Sequence, residues 1–274
     1  LIVHNDSFYI CSDFYHPSFF NISNNISNDK NDSFADKTHL HKFKLNKNID
    51  SVANGIIEGH ILNETSINEY NNYIRISSSD MKRDSLGHIV ESGFSLQIFK
   101  IINGTFEKIS SLNNLTYVTE LYGDLGYASL KGLLTLIDLS DPITPQIKGS
   151  IEIPSSHISL IPISNGYYIG SGNNFNKDSD SIVEGANLYI FNFSDMNNPQ
   201  KISNISFGTE FTSTNSDFSS SMTKQFYEAS NLILINNYQF IEDYLDDNTP
   251  FITDFYIGTK IYKINDYTIN LLNN

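Results

Sequence analysis

Short stretches in which apolar and polar residues alternate, separated by Asn, Asp and Gly, make up most of the chain. The apolar positions are rich in Val, Ile, Leu, Tyr and Phe, and their period of two predicts β-strands. Apolar residues at helical spacing are almost absent. The pattern therefore predicts an all-β fold.

The predicted strands are grouped into units that open with a tight hairpin. Asn and Gly suit such turns because they adopt positive φ at little cost. Six dipeptides are predicted to form these turns: Asn5-Asp6, Asn71-Asn72, Gly123-Asp124, Asn165-Gly166, Ser230-Asn231 and Gly258-Thr259. A third strand is predicted after each of the first four hairpins, at residues 40–45, 96–101, 134–139 and 188–193, and fourth strands include residues 146–153 and 200–207.

One segment of the chain recurs 54 residues later. The segment from Ile137 to Pro145 ends a strand with Ser-Asp and reaches the next strand through a Pro, and the segment from Phe191 to Pro199 does the same. A Pro at the start of a strand costs little because its missing N–H is not needed there. Four-stranded repeats of roughly 40 to 50 residues are typical of β-propeller blades.

The sequence thus predicts a single β-propeller domain of four-stranded antiparallel blades. Its repeats are predicted at residues 1–59, 60–115, 116–153, 154–208, 209–250 and 251–274. The acidic stretch at residues 241–250 is too short for two more strands, so we expect an incomplete propeller or a degenerate blade. Polar insertions at residues 23–37, 77–92 and 173–185 are predicted to be surface loops or partly disordered segments.

The net charge of the chain argues against two classes of binding partner. Lys and Arg number 17 against 31 Asp and Glu, which gives a net charge of −14 at pH 7. Such a charge argues against binding to nucleic acid or to an anionic lipid surface.

No apolar run reaches the roughly 20 residues of a membrane span. The single cysteine, Cys11, cannot form an internal disulfide and is expected to pack as a small apolar side chain.

The first residues of the chain already have the pattern of a strand, and no signal peptide precedes them. We therefore expect the chain to be a mature product or part of a longer precursor.

Several segments, in order along the chain, resemble one family of proteins. They lie at residues 41–43, 59–63, 68–75, 117–127, 136–142 and 255–262. On these segments the chain resembles the archaeal and bacterial family of secreted proteins with a C-terminal β-propeller domain. Members of that family carry further propeller sequence before the point where this chain starts, and a fuller penultimate blade. The resemblance implies an extracellular or cell-envelope location, and it implies no established reaction or catalytic residue.

Asn-x-Ser/Thr sequons are frequent. They are candidates for N-glycosylation if the chain is secreted, although abundant Asn, Ser and Thr would produce several by chance. The nine candidates are Asn5, Asn21, Asn25, Asn31, Asn63, Asn103, Asn114, Asn192 and Asn204.

One loop has the composition of a weak calcium site. Asn176, Asp178, Asp180 and Glu184 supply oxygen ligands at even spacing, but the Gly and Glu that complete an EF-hand are missing, so a solvated polar loop is the alternative. The acidic group at residues 242–247 has the same two interpretations. The pair His39 and His41 would lie on one face of a strand, but no third metal ligand is evident.

The sequence contains no Gly-x-Ser-x-Gly elbow, phosphate-binding Gly loop or His-Glu-x-x-His motif. We predict no catalytic residue and no resident cofactor beyond the calcium candidate. Six tyrosines on the repeated strands are expected to pack between blades rather than to form a sugar platform. They are Tyr122, Tyr127, Tyr167, Tyr168, Tyr189 and Tyr256.

Three functions are compatible with this pattern. The leading hypothesis is a non-enzymatic binding or scaffold propeller, extracellular or at the cell surface, with a protein or glycan partner. The first alternative is a self-assembling structural subunit of a surface layer, sheath or filament. The second is a secreted hydrolase with acidic residues at the propeller mouth.

Overall fold

The structure is a computed structural model that describes residues 2–4, 7–14, 34–45, 47–61, 64–83, 89–115, 120–156, 158–164, 166–178, 180–207, 224–227, 231–244 and 250–272. Across these ranges the chain forms 21 β-strands and a short 3₁₀ turn at Glu64–Ser66, with no α-helix. The predicted all-β fold is confirmed.

The first sheet has nine strands. They are β1 (Ile2–His4), β2 (Ser7–Phe14), β3 (Phe34–Ala35), β4 (Lys37–Leu45), β5 (Ile49–Glu58), β6 (Ile67–Tyr70), β7 (Tyr73–Arg83), β8 (Ile89–Ile102) and β9 (Thr105–Leu115). Eight of them form two antiparallel runs, β1-β2-β4-β5 and β6-β7-β8-β9, while β3 pairs with β7. A single parallel pairing, of Asn54 with Thr105, joins the two runs.

Each of the other three sheets has four strands adjacent in chain order. The second contains β10 (Glu120–Tyr122), β11 (Leu125–Leu130), β12 (Leu133–Asp138) and β13 (Gln146–Glu152). The third contains β14 (Ser159–Ser164), β15 (Tyr167–Asn176), β16 (Ser181–Asn192) and β17 (Gln200–Phe207). The fourth contains β18 (Lys224–Tyr227), β19 (Leu232–Tyr244), β20 (Pro250–Asn265) and β21 (Thr268–Leu271). The strands predicted third in their units lie in β4, β8, β12 and β16, as expected.

The chain divides into two compact units. The first comprises residues 1–128 and 137–146, and the second comprises residues 129–136 and 147–274. Two clusters of buried apolar side chains form the core of the first unit, one around Tyr9, Leu40 and Ile76 and the other around Leu96 and Ile137. In the second unit, a cluster that includes Leu188, Ile233 and Tyr262 joins the third and fourth sheets.

Most of the predicted hairpin turns that the structure describes are found, and one is wrong. Asn71 and Asn72 have φ of 50° and 65° between β6 and β7, as a type I′ turn requires. Gly123-Asp124, Gly166 and Asn231 also lie in turns, whereas Asn5-Asp6, Asn165 and Ser230 lie outside the described residues. Gly258-Thr259 is instead part of β20, paired with Asn237 and Asn236 of β19, because strand-forming residues continue on both sides of the Gly.

Two of the predicted polar loops are strands. Residues 77–83 and 89–92 belong to β7 and β8, and the third insertion extends β15 and β16 up to a turn that includes Lys177, Asp178 and Asp180. Residues 84–88 and 179 of these insertions lie outside the described ranges. Ser77, Ser78 and Ser79 are buried although they are polar. The hydroxyl groups of Ser78 and Ser95 lie 3.0 Å apart, and the side-chain amide of Gln97 donates to Ser78 Oγ at 2.9 Å. These hydrogen bonds allow polar residues in the middle of a sheet, which the alternation pattern does not reveal. Most of residues 23–37 lies outside the described ranges.

The recurring Ser-Asp segment forms the same turn twice. Asp138 Oδ1 accepts a hydrogen bond from Ser140 N at 3.0 Å, and at the equivalent place Asn192 Oδ1 accepts one from Ser194 N at 2.9 Å. Three residues further along, Asp141 Oδ1 accepts from Ile143 N and Asp195 Oδ1 accepts from Asn197 N, at 2.9 and 3.0 Å. In each turn, two side-chain oxygens take the place of backbone carbonyls as acceptors for backbone N–H groups. Each turn then leads into a fourth strand.

A docking contact recurs between successive four-stranded runs. In each case a fourth strand donates a hydrogen bond to a carbonyl in the turn that follows the third strand of the next run. The four contacts are Asn54 N to Gly104 O at 3.1 Å, Ser110 Oγ to Pro142 O at 2.5 Å, Gly149 N to Met196 O at 2.8 Å and Ser203 Oγ to Tyr267 O at 2.8 Å. The first of them adjoins the single pairing that merges two runs into one nine-stranded sheet.

Candidate functional site

The candidate calcium loop is engaged in contacts with its own protein. Asn176 Oδ1 accepts a hydrogen bond from Asp178 N at 2.9 Å, and Asp180 Oδ2 forms an ion pair with Lys131 Nζ at 2.5 Å. Both contacts use oxygen atoms that a cation would need. The side chain of Glu184 lies outside those described. Within the described ranges, no group of three or more His, Cys, Asp or Glu residues is placed to hold a metal ion. The calcium site stays a prediction.

A cleft of about 280 Å³ lies beside this loop in the second unit. Its walls are formed by Gly132, Glu152, Ile153, Pro154, Phe175 and Lys177. Apolar atoms of Phe175, Pro154 and Ile153 line it, and an ion pair of 3.0 Å between Lys177 Nζ and Glu152 Oε1 forms a charged rim. An aromatic ring beside exposed charged groups can bind a small amphipathic ligand.

Backbone hydrogen bonds hold the walls of this cleft in place. Gly132 N donates to Ser155 O, Ile153 N donates to Gly132 O, and Phe175 N donates to Pro154 O. Gly132 has φ of +81°, and an added Cβ would come within 3.1 Å of Ile153 O. Glycine is therefore required at this turn, because another residue would be strained at this positive φ and its Cβ would crowd Ile153 O. The cleft was missed at the level of sequence, because its residues come from three separate segments.

His39 and His41 lie on the same face of β4, as their spacing predicts. Their ring centroids are 6.3 Å apart, and the His41 ring also stacks on Phe43 at 6.4 Å. Cys11, on the neighbouring strand β2, is half-buried and packs against the first apolar cluster. The two histidines thus belong to an aromatic row on a sheet.

Four of the candidate glycosylation sites lie in the described ranges. Asn103 is exposed in the tight turn between β8 and β9, Asn114 is exposed near the end of β9, and Asn204 is exposed on β17. Asn192 is half-buried, and its side-chain oxygen is used in the turn at Ser194. Asn5, Asn21, Asn25, Asn31 and Asn63 lie outside the described residues.

A partly buried ion pair connects the first two strand runs. Glu69 of β6 accepts hydrogen bonds of 2.6 Å from Tyr9 Oη of β2 and from Lys42 Nζ of β4. Burial, together with the hydrogen bond and the charge of Glu69, raises the pKa of Tyr9 above its usual value. Since the carboxylate oxygens of Glu69 each hold a donor, the cluster stabilises the packing of the two runs.

Arg75, which is 2% exposed, connects β7 to the next hairpin. Its Nε donates to Asn68 Oδ1 at 3.0 Å and its Nη1 donates to Gly123 O at 2.5 Å, while its guanidinium lies 4.9 Å from the centre of the Tyr70 ring. Burial lowers the pKa of Arg75 to about 10, although the charges of Tyr70 and Asp124 act in the opposite direction. This cluster was not predicted from the sequence, in which Arg75 is only a charged residue within a strand.

Of the predicted packing tyrosines, two are buried and three are half-buried among those whose side chains the structure describes. Tyr127 and Tyr189 are fully buried, and Tyr168 stacks on Phe193 at 5.2 Å. Tyr167 stacks on Tyr267 at 3.9 Å. Glu120 Oε2 accepts hydrogen bonds from Tyr122 and Tyr127, at 2.6 and 3.0 Å. The side chain of Tyr256 is outside those described. These contacts favour packing over a sugar platform.

The part of the chain described by the structure contains no helix that is long and apolar enough to cross a membrane. This agrees with the absence of a long apolar run in the sequence.

Two archaeal relatives match more than half of the chain. An uncharacterized protein of Methanocaldococcus jannaschii is 29% identical over 170 residues, which cover 58% of this chain and 25% of that protein. An uncharacterized protein of Archaeoglobus fulgidus is 26% identical over 170 residues, which cover 61% of this chain and 25% of that protein. The chain thus spans about a quarter of the length of these relatives.

Several solved structures are similar at low sequence identity. A hypothetical selenium-binding protein from Sulfolobus tokodaii is 11% identical, with a TM-score of 0.38 over 62% of this chain and 47% of that chain. Sqt1 from Saccharomyces cerevisiae is 9% identical, with a TM-score of 0.33 over 86% of this chain and 81% of that chain. A protein from Lactobacillus plantarum is 7% identical, with a TM-score of 0.32 over 85% and 91%. Likenesses of this size carry no functional argument.

The family model of the β-propeller domain matches residues 2–239. This match covers most of the chain and agrees with its all-β structure, which includes three four-stranded sheets. The chain belongs to the β-propeller domain family.

Proposed function

We propose that the chain is a non-enzymatic binding or scaffold propeller at the cell exterior. The observation that carries this proposal is the use of its interior ionic groups, of which Arg75 is buried while Glu69 and Glu120 are half-buried. Each of the three forms a hydrogen bond that connects its strand to another segment of the chain. A group that is already held in this way is poorly placed to exchange a proton with a substrate. The family resemblance in the sequence supports the exterior location.

The repeated docking contact supports an interpretation of each four-stranded run as one blade. On this interpretation the blades are β1-β2-β4-β5, β6-β7-β8-β9, β10–β13, β14–β17 and β18–β21. The first two are separate blades, because their connection within one sheet is a single residue pair. This proposed division keeps the boundaries predicted from the sequence near residues 59, 115, 153 and 208. It gives up the predicted boundary at residue 250, because β19 and β20 pair within one sheet.

The cleft beside Phe175 has the chemical features of a glycan site. The faces of sugar rings carry C–H groups that pack on aromatic side chains, and their hydroxyl groups pair with charged side chains. Phe175, with Glu152 and Lys177 at the rim, offers both kinds of contact.

A glycan array with the Phe175→Ala variant tests this function. The unmodified chain is expected to bind at least one glycan class, and Phe175→Ala is expected to weaken that binding about tenfold, since it removes the apolar surface. Ile143→Ala, at an exposed apolar residue outside the cleft, is the control and should bind normally. Equal binding by the two variants would show that the glycan does not bind in the cleft. Failure of the unmodified chain to bind any glycan or surface protein would contradict the proposed function.

Two further measurements on the same protein test the two alternative functions, the structural subunit and the secreted hydrolase. Release of reducing sugar from a polysaccharide panel would favour the hydrolase. Concentration-dependent assembly in light scattering would favour the structural subunit. Peptide mapping of protein from the source cells tests the location, with glycans expected at Asn103, Asn114 and Asn204 because all three are exposed.

A further inference from the structure

Two walls of the cleft in the second unit belong to a short pairing between a loop and the end of a strand. The loop is part of the connection between β13 and β14, and it lies antiparallel to residues 173–175 of β15 through a bridge between Ser155 and Asn174. Beside this bridge, Phe175 N donates to Pro154 O at 3.2 Å. Because Pro154 and Phe175 both line the cleft, the pairing sets the distance between these walls.

One buried side chain behind the cleft holds both members of this pairing. Asn187 of β16 is 2% exposed and is not among the residues that line the cleft. Its Nδ2 donates to Asn174 Oδ1, and the same nitrogen lies 3.3 Å from Ser155 Oγ and 3.4 Å from Pro154 O. Its Oδ1 accepts a hydrogen bond of 2.6 Å from Ser206 Oγ of β17. A single amide group therefore connects the loop, the end of β15 and β17.

A second hydrogen bond supports the loop from the same strand. Ser155 is fully buried, and its Oγ lies 2.7 Å from the hydroxyl group of Tyr189, which is two residues along β16 from Asn187. Hydrogen bonds of this kind are strong because little water competes for them in the interior. Support by residues behind a binding surface keeps that surface in its binding geometry before the ligand arrives.

The fold of a four-stranded run does not require an amide at this position. The residues in β8 and β12 that correspond to Asn187, directly before the leucine of the repeated third strand, are Ser95 and Leu133. Ser95 Oγ lies 3.0 Å from Ser78 Oγ within its own sheet, and Leu133 is exposed. A run thus forms with a hydroxyl or an apolar side chain here, whereas Asn187 reaches a loop that lines a cleft.

We infer that Asn187 is a positioning residue for the cleft. It fixes Pro154 and Phe175 at the separation that the ligand requires, and it does so from behind, through Asn174 and Ser155. This role rests on the proposed function for the identity of the ligand, a glycan. Its effect on the cleft itself is measurable without any ligand.

A matched pair of buried amides tests this role. Gln97 of β8 is 1% exposed and donates to Glu58 O and Ser78 Oγ in the first sheet, so Gln97→Leu is the control for Asn187→Leu. Both variants are expected to lower the Tm, because each removes the hydrogen bonds of a buried amide. At a temperature where both are folded, only Asn187→Leu is expected to speed hydrogen exchange of the Phe175 amide, by about tenfold or more. Equal exchange of this amide in the two variants overturns the inference.

Glycan binding separates this role from the proposed function. With a glycan that the unmodified chain binds, Asn187→Leu is expected to raise the Kd about tenfold, as Phe175→Ala does, while Gln97→Leu binds normally. Normal binding by Asn187→Leu overturns the inference and leaves the proposed function standing. If the unmodified chain binds no glycan, the proposed function fails, and exchange of the Phe175 amide alone decides whether Asn187 positions the cleft.

A milder pair of variants gives the answer if Asn187→Leu does not fold. Asn174 is half-buried, and Asn174→Ala removes the acceptor of the Asn187 amide, whereas Asn174→Asp keeps an oxygen at that place. Asn174→Ala is expected to speed exchange of the Phe175 amide, and Asn174→Asp is expected to exchange at the rate of the unmodified chain. Equal rates in these two variants overturn the inference.

Discussion

At the scale of single residues, the charged side chains inside the first unit matter most for stability. Arg75 and Glu69 are each held by at least two hydrogen bonds to partners on other strands. Removal of one partner from such a buried cluster leaves the other without compensation for its lost hydration. A strand pattern alone cannot distinguish these residues from charges on a solvated face.

Replacement of Arg75 by Met tests this role. The variant keeps much of the side-chain volume but leaves Asn68 and the carbonyl of Gly123 without their donor, so we expect the free energy of unfolding to fall by about 1 to 3 kcal/mol. Denaturant unfolding followed by circular dichroism measures the change. Lys177→Met, at a side chain that is 74% exposed, is the control and is expected to cost less than about 1 kcal/mol. A loss below 1 kcal/mol for Arg75→Met would show that the cluster is not needed.

At the scale of elements, the runs depend on close approach between a strand and the next turn. Gly149 of β13 is the clearest case, because an added Cβ would lie 2.4 Å from Pro199 Cδ and 2.5 Å from Asn197 O. Both of those atoms belong to the recurring turn that Asp195 holds in shape. The alternation pattern predicted this strand, but nothing in it marks Gly149 as a contact.

Gly149→Ala is therefore expected to be destabilising. The methyl group overlaps backbone and proline atoms that cannot rotate away, and overpacking of this kind costs about 1 to 3 kcal/mol. Gly93→Ala is a matched control in β8, since no atom lies within 4 Å of its added Cβ. Thermal unfolding of both variants should show a lower Tm for the first and an unchanged or slightly higher Tm for the second. Similar Tm values would contradict the proposed importance of the docking contact.

At the scale of the whole molecule, buried tyrosines make the stability sensitive to alkaline pH. Burial raises the pKa of Tyr168, Tyr189 and Tyr262, the last to about 12. Burial also raises the pKa of Tyr9 and of Tyr122, with further contributions from Glu69 and Glu120. Unfolded tyrosines ionise near pH 10, so above that pH the folded state retains more protons than the unfolded state.

The free energy of unfolding is therefore expected to fall as the pH rises above 10. For Tyr262 the contribution is complete below pH 10 and is lost between pH 10 and about 12. Denaturant midpoints from pH 8 to 11.5 measure the slope, and Tyr262→Phe should make it shallower by up to about 1.4 kcal/mol per pH unit. Comparison of the variant with the unmodified chain at pH 8 corrects for the lost hydroxyl. A slope unaffected by Tyr262→Phe would contradict the assignment.

The sequence by itself determined the all-β class, the third strands of four units and several hairpin turns. These follow from alternation of apolar residues and from turn residues that tolerate positive φ, which are local properties. It misplaced Gly258-Thr259 and read the buried serines of β7 as a loop, because polar residues in a sheet are stabilised by partners on other strands.

Only the tertiary structure decided where the sheets meet. The ionic cluster at Glu69, the cleft beside Phe175 and the docking contacts each join residues far apart in the chain. Packing between runs likewise decides which side of β4 is covered, and the sequence of β4 alone does not show which layer covers it. Alternation of apolar and polar residues within a strand shows that one face is buried. Long-range contacts decide which other part of the chain packs on that face.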